Sequence, residues 1–268
     1  MGTKRRDFLK KTLALAGTAG LVTTAPGLMR AAYAASGDIH VGVLFSLTGG
    51  TSIVERSMSE TALMVIEEIN AAGGLLGKQI IPHVEDPASD PKQFNEKARK
   101  LILKDRVDCI FGCYTSSSRK AVLPIVEQRN NLLVWPSWYE GLECSKNILY
   151  CGASPNQLLE NSIPWAVNKM GRKKIFMVGT DYVFPRGMAR ITKQIVGRAD
   201  IDAEWVADEY LPFGHTEWAT IVKKIRDSGA DMVLSTVVGN SVIAFHREFV
   251  NQGLNFDDIT FLSPVTTE

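Results

Sequence analysis

The sequence is short of metal-binding and nucleophilic side chains. It holds four histidines (His40, His83, His215 and His246) and four cysteines in 268 residues. The histidines are too scattered for an H-E-x-x-H zinc motif, and the cysteine spacings match no zinc pattern. No G-x-x-x-x-G-K-[ST] phosphate loop is present: around Gly77-Lys78 the first glycine is Ala72 and the following residue is Gln79. No G-x-G-x-x-G follows a strand, and there is no G-x-S-x-G elbow. Asp86, Asp90, Glu140 and Asp181 form no recognisable carboxylate pair. The body of the chain has no run of Lys or Arg longer than Arg172-Lys173-Lys174, too little for the basic footprint of a nucleic-acid binder. Beyond the N-terminal segment no apolar stretch approaches the ~20 residues of a spanning helix. Neither a metal nor a cofactor is implied.

The cysteines carry two questions. Cys109 and Cys113 lie on one predicted strand, where ~3.3 Å per residue sets their Cα atoms roughly 13 Å apart, beyond disulfide reach. Cys144 and Cys151 flank a short loop and could pair. Cys113 is the one candidate nucleophile, because a strand end before a helix N-terminus lowers a thiol pKa. The competing reading is a small buried hydrophobe.

What is present is ordinary globular composition, 45% hydrophobic, 22% charged and 8% aromatic. The formal charge of +1 hides an asymmetry. Residues 1–34 carry six basic residues and one acid, so the remainder holds 24 basic and 28 acidic residues, net −4. The basic start, the short apolar stretch Thr12–Ala25 and Ala32-Tyr33-Ala34 make a secretory signal, with cleavage expected after Ala34. Arg5-Arg6 followed by x-Phe-Leu-Lys resembles a twin-arginine export signal. Export to the periplasm is therefore expected.

From Asp38 onward short β-rich runs alternate with amphipathic helices. Strands are expected at 39–46, 79–85, 108–113, 132–136, 148–151, 174–179, 204–210, 231–237 and 259–262. Helices are expected at 57–72, 91–104, 116–129, 156–170, 185–198, 218–228 and 241–252. Gly73-Gly74 would stop the first helix, and Asp90-Pro91 would open the second. This rhythm means an α/β fold with parallel sheets covered on both faces. A split near 153–156 predicts two lobes, 38–155 and 156–268. Ligands of open parallel sheets bind at the carboxyl ends of the strands. The loops there are rich in hydroxyls, aromatics and glycine, which suits a small neutral polar ligand.

The order Phe111-Gly112-Cys113-Tyr114-Thr115-Ser116, Arg119-Lys120-Ala121-Val122-Leu123-Pro124, Tyr139-Glu140-Gly141, Pro155-Asn156-Gln157 and Gly179-Thr180-Asp181-Tyr182 resembles the amide/urea branch of type I periplasmic binding proteins. Phe213-Gly214-His215 and Ser235-Thr236-Val237-Val238-Gly239 extend the likeness over Asp38–Glu268. The resemblance implies two Rossmann-like lobes joined by three crossovers, with a ligand trapped as they close. It also implies a second lobe that is incomplete at Glu268. Carried over by position, Tyr114, Ser116, Ser137 and Trp138 line the first lobe's side, and Tyr182, Phe184 and Val238 the second's. Asp181 is expected to cap the following helix, Glu140 to brace a loop, and Arg186 to lie beyond the contacts. The implied partners are an amide-like solute and the membrane permease of an ABC importer. An amide-sensing regulator of the same fold and a Cys113-dependent amide hydrolase are the alternatives.

Overall fold

The computed structural model describes residues 37–265. Arg5, Arg6 and the expected cleavage after Ala34 lie outside the described residues. In chain order the elements are β1 (Ile39–Leu44), α1 (Ser52–Ala71), β2 (Ile80–Glu85), α2 (Pro91–Leu103), β3 (Cys109–Gly112), α3 (Ser116–Gln128), β4 (Leu133–Trp135), β5 (Ile148–Tyr150), α4 (Pro155–Leu158) and α5 (Ser162–Asn168). There follow β6 (Lys174–Thr180), α6 (Val183–Val196), β7 (Glu204–Leu211), α7 (Ala219–Ser228), β8 (Met232–Thr236), α8 (Ser241–Asn251) and β9 (Thr260–Leu262).

The chain divides into two compact units, one holding Ile39 with Met64–Ile81, the other His40–Leu63 with Pro82 onward. Within the smaller unit α1 ends where expected. Gly73 and Gly74 adopt φ of 103° and 79°, values that favour glycine, and a Cβ on Gly74 would lie 2.0 Å from the Lys78 carbonyl oxygen. The Asn70 side chain then fixes the returning strand, donating to Ile80 O and accepting from Ile80 N, both at 2.8 Å.

The strands form a five-stranded sheet in the order β2-β1-β3-β4-β5 and a four-stranded sheet in the order β7-β6-β8-β9. β1, β3, β4 and β5 pair in parallel, as do all four strands of the second sheet. The near-continuous apolar character of the strands is explained by burial on both faces. On β6, Ile175 and Met177 enter one core cluster with Met232, Leu234 and Met188. Their neighbours Phe176 and Val178 enter another with Val233, Trp218, Phe245 and Phe249. This is the period-2 alternation of a strand, with apolar residues on both sides. The first sheet packs Leu44, Ile110 and Leu133 with Phe94 and Leu101 of α2 and Val122 of α3.

Two local expectations are corrected. α1 starts at Ser52 rather than Ser57, because Thr51 O accepts from Val54 N and Glu55 N and Ser52 Oγ donates to Gly49 O. The single helix expected at 156–170 is two short helices. Pro164 has no N–H for the Glu160 carbonyl, so the chain restarts as a separate first turn, where proline is tolerated. The open question of Cys144 and Cys151 is answered as two exposed free thiols. The start of α2 is as expected: Asp90 Oδ1 accepts from Lys92 N at 2.7 Å and Gln93 N at 3.1 Å, with Pro91 in the first turn.

Candidate functional site

The site is built where strands of the two sheets end, entirely within the larger unit. After β3 the backbone turns at Cys113, whose φ is +66°, and re-enters a helix capped by Thr115, whose Oγ1 accepts from Ser118 N at 3.1 Å. This places Tyr114 inward, 6% exposed. After β4, Ser137 and Trp138 are drawn against Gly152; a Cβ there would lie 2.0 Å from Ser137 O, so only glycine fits. After β6 comes Tyr182, its ring against Phe213 at 4.8 Å and Phe184 at 6.3 Å between centroids. After β8, Val238 N donates to Thr180 Oγ1 at 3.1 Å.

Tyr114, Phe184 and Val238 belong to one buried cluster, with Trp138 and Tyr182 packed against it as partly buried members. The Tyr114 and Trp138 rings meet edge-to-face at 6.0 Å. Residues from loops of both sheets thus share one cluster, which takes in five of the seven positions singled out from sequence. Burial, reinforced by the Glu55 charge, pushes the Tyr114 phenol up. Burial, with the neighbouring Tyr114 and Glu140, pushes Tyr182 well above 10.0. Both therefore stay neutral hydroxyls able to donate or accept.

The remaining two residues differ in their surroundings. Ser116 Oγ accepts from Arg119 Nη1 at 3.0 Å. Ser137 Oγ is buried and makes no hydrogen bond with any of the described residues.

A second loop contact lies beside this cluster. Asn240 N donates to Gly50 O at 3.0 Å, and a Cβ on Gly239, at φ +66°, would come within 2.3 Å of that oxygen. The Gly50 turn is itself held by side chains. Asp86 accepts from Leu47 N, Thr48 Oγ1 and Ala88 N. Burial raises the Asp86 pKa, but these hydrogen bonds outweigh it and the carboxyl lies below 3.8. Glu55, fully buried, accepts from Ser46 N at 2.7 Å and Thr51 Oγ1 at 2.5 Å. Desolvation dominates there, and its pKa is raised above 4.5.

Sequence reasoning missed the Arg119 cluster. Arg119 is 0% exposed, donating from Nε to Glu143 Oε1 at 2.6 Å and from Nη2 to Glu140 Oε1 at 3.0 Å. Its guanidinium lies over Trp135 at 4.9 Å and Tyr139 at 5.2 Å. Lys120 Nζ adds a bond to Glu143 Oε2 at 2.6 Å. Burial raises the Glu143 pKa, yet the Arg119 and Lys120 hydrogen bonds prevail and hold it below 4.5. The available signal was Arg119-Lys120 opposite Glu140 and Glu143, acids three residues apart on the loop after β4.

One role assignment changes. Asp181 makes no helix cap; its Oδ1 accepts from Arg186 Nε at 3.0 Å on the surface. Of the two readings of Cys113 the buried hydrophobe holds: it is 0% exposed, and burial followed by the Glu55 charge pushes its thiol far up.

Comparison with known proteins places this geometry. Residues 39–268 match the family described as the periplasmic binding protein domain. The chain is similar to a Leu/Ile/Val-binding protein homolog 3 of Brucella melitensis, 26% identical over 213 residues, covering 77% of this chain and 55% of that protein. It is also similar to an amino acid binding protein of Pseudomonas aeruginosa, 26% identical over 254 residues, covering 93% and 65%. The chain thus spans about 55–65% of the length of these curated relatives. Among solved structures, the branched-chain amino acid transporter substrate binding protein LivJ of Streptococcus pneumoniae, in complex with isoleucine, superposes with a TM-score of 0.72 at 19% identity, covering 84% of this chain and 64% of that one. A solute binding protein of an ABC transporter from R. palustris, in complex with 4-hydroxybenzoate, gives 0.72 at 23% identity, covering 86% and 63%.

Proposed function

The chain belongs to the periplasmic binding protein family, and on that premise we propose that it is the ligand-binding part of an exported solute-binding protein. It delivers a small neutral amide, urea or a related solute to the permease of an ABC importer. The carrying observation is the shared cluster of Tyr114, Trp138, Tyr182, Phe184 and Val238 at the carboxyl ends of strands from both sheets. Aromatic walls with neutral hydroxyls suit a ligand that is held and released unchanged. The relatives carry names for leucine, isoleucine and valine binding, and the compared structures hold isoleucine or 4-hydroxybenzoate. Here the Gly239-Asn240 loop has no acid to hold an ammonium group, and the nearby cations are already paired with carboxylates. Burying a charged ligand group without a partner would cost several kcal/mol. This departure supports the neutral ligand.

Calorimetric titration with urea, formamide, acetamide, leucine and 4-hydroxybenzoate tests the reading. An amide or urea is expected to bind, and Tyr114→Ala and Tyr182→Ala are each expected to weaken it. Micromolar leucine binding with no amide binding contradicts the proposed ligand class. Unchanged affinity in both variants moves the site elsewhere.

A further inference from the structure

The buried polar atoms beside the cluster are unevenly satisfied. Glu140 is 7% exposed. Its Oε1 accepts from Arg119, whereas its Oε2 is buried and makes no hydrogen bond with any of the described residues. Ser137 Oγ, three residues earlier on the same loop, is in the same condition. A buried acceptor left unpaired is costly, more so when it carries charge. Two such atoms on one strand-end loop call for a partner from outside the chain.

The place and the charge balance restrict that partner. Glu140 sits where elements of the two sheets meet, since a Cβ on Gly187 of α6 would lie 2.8 Å from Glu140 Cβ. Arg119 and Lys120 face Glu140 and Glu143, two cations against two carboxylates, so the cluster presents no net charge. All three Arg119 nitrogens are engaged, by Glu143, Ser116 and Glu140. A ligand carboxylate would have to compete with Glu140 and Glu143 for these two cations. A ligand N–H finds two unused acceptors.

We infer that Glu140, through Oε2, is a ligand-binding residue that together with Ser137 Oγ takes the N–H groups of the solute and sets its specificity for primary amides and urea. This rests on the ligand class proposed above and goes further, naming the residues that read it.

Calorimetry on the parent chain, Glu140→Gln and Ser137→Ala tests the assignment, with acetamide, urea, N,N-dimethylacetamide, leucine and 4-hydroxybenzoate as probes. The parent is expected to bind acetamide roughly tenfold or more tightly than N,N-dimethylacetamide, which has no N–H. Glu140→Gln can still accept from Arg119 but presents an NH2 in place of Oε2, so acetamide affinity falls by roughly tenfold or more. Ser137→Ala removes an unpaired hydroxyl: acetamide binding weakens while the ligand-free melting temperature stays level or rises. That combination separates a binding role from a structural one, even if the Glu140 variant fails to fold. Equal affinity for acetamide and N,N-dimethylacetamide overturns the assignment and leaves the proposed function standing. So does amide binding unchanged in Ser137→Ala and in a folded Glu140→Gln. A parent that takes only leucine or 4-hydroxybenzoate, or none of the probes, overturns the ligand class and the assignment together.

Discussion

Glu55 is a carboxyl group kept from water without a cation beside it. Burial raises its pKa above the ordinary 4.5, and its hydrogen bonds from Thr51 and Ser46 recover only part of that cost. A raised carboxyl pKa means the folded state holds the proton over a range where the unfolded chain has released it. Glu55 therefore costs progressively more stability as pH rises from the unfolded pKa through the folded one. Glu55→Gln keeps an acceptor for Ser46 N and removes the charge. Thermal melts across pH 4–8 should show the variant losing less stability than the parent on the alkaline side. Parallel pH profiles would show that Glu55 is ionised without penalty. Arg119 is the opposite case, a buried cation with every nitrogen engaged. Arg119→Met leaves Glu140 and Glu143 without their main partner, and thermal unfolding should report a loss of about 3–5 kcal/mol. These two residues also mark where sequence reading stopped. Nothing in a linear pattern distinguishes a helix arginine that is 0% exposed from one in solvent, because its carboxylate partners lie over twenty positions away.

The elements themselves were largely legible. Apolar strand runs separated by amphipathic helices located every strand to within a few residues, since sheets buried on both faces need continuous apolar strands. Capping chemistry was legible at Asp90-Pro91 and at Gly73-Gly74 for the same local reason. It failed between Pro155 and Asn168, where apolar periodicity continued across a break imposed by Pro164. It also failed at the start of α1, whose first turn is fixed by carbonyls of the Gly49–Thr51 turn. That turn meets the loop opening α8 through a backbone contact with no room for a side chain. Gly239→Ala would place a Cβ 2.3 Å from Gly50 O at a φ of +66° that alanine adopts poorly. The variant should keep its secondary structure by circular dichroism and bind solute several-fold more weakly. Undiminished affinity would show that the Gly50–Asn240 contact is not needed in the bound state.

At the scale of the whole molecule, fold class was legible from rhythm, and the family from motifs in order along the chain. The clustering of Tyr114, Trp138, Tyr182, Phe184 and Val238 could not be derived from spacing, because it depends on how loops of separate sheets meet. Ser116, singled out for the ligand, also accepts from Arg119, a contact that spacing alone did not suggest. The N-terminal segment makes its own prediction. Arg5→Lys combined with Arg6→Lys should leave precursor in the cytoplasm on fractionation, while normal delivery would exclude the twin-arginine route. The central claim is that a small solute is held by loops of both sheets. Crystallography of the chain grown with saturating acetamide tests it most directly. The account predicts ligand density in contact with Tyr114 and Tyr182 and within hydrogen-bonding distance of Ser137 Oγ. Acetamide density away from that cluster, or an empty cluster at saturating acetamide, would contradict it.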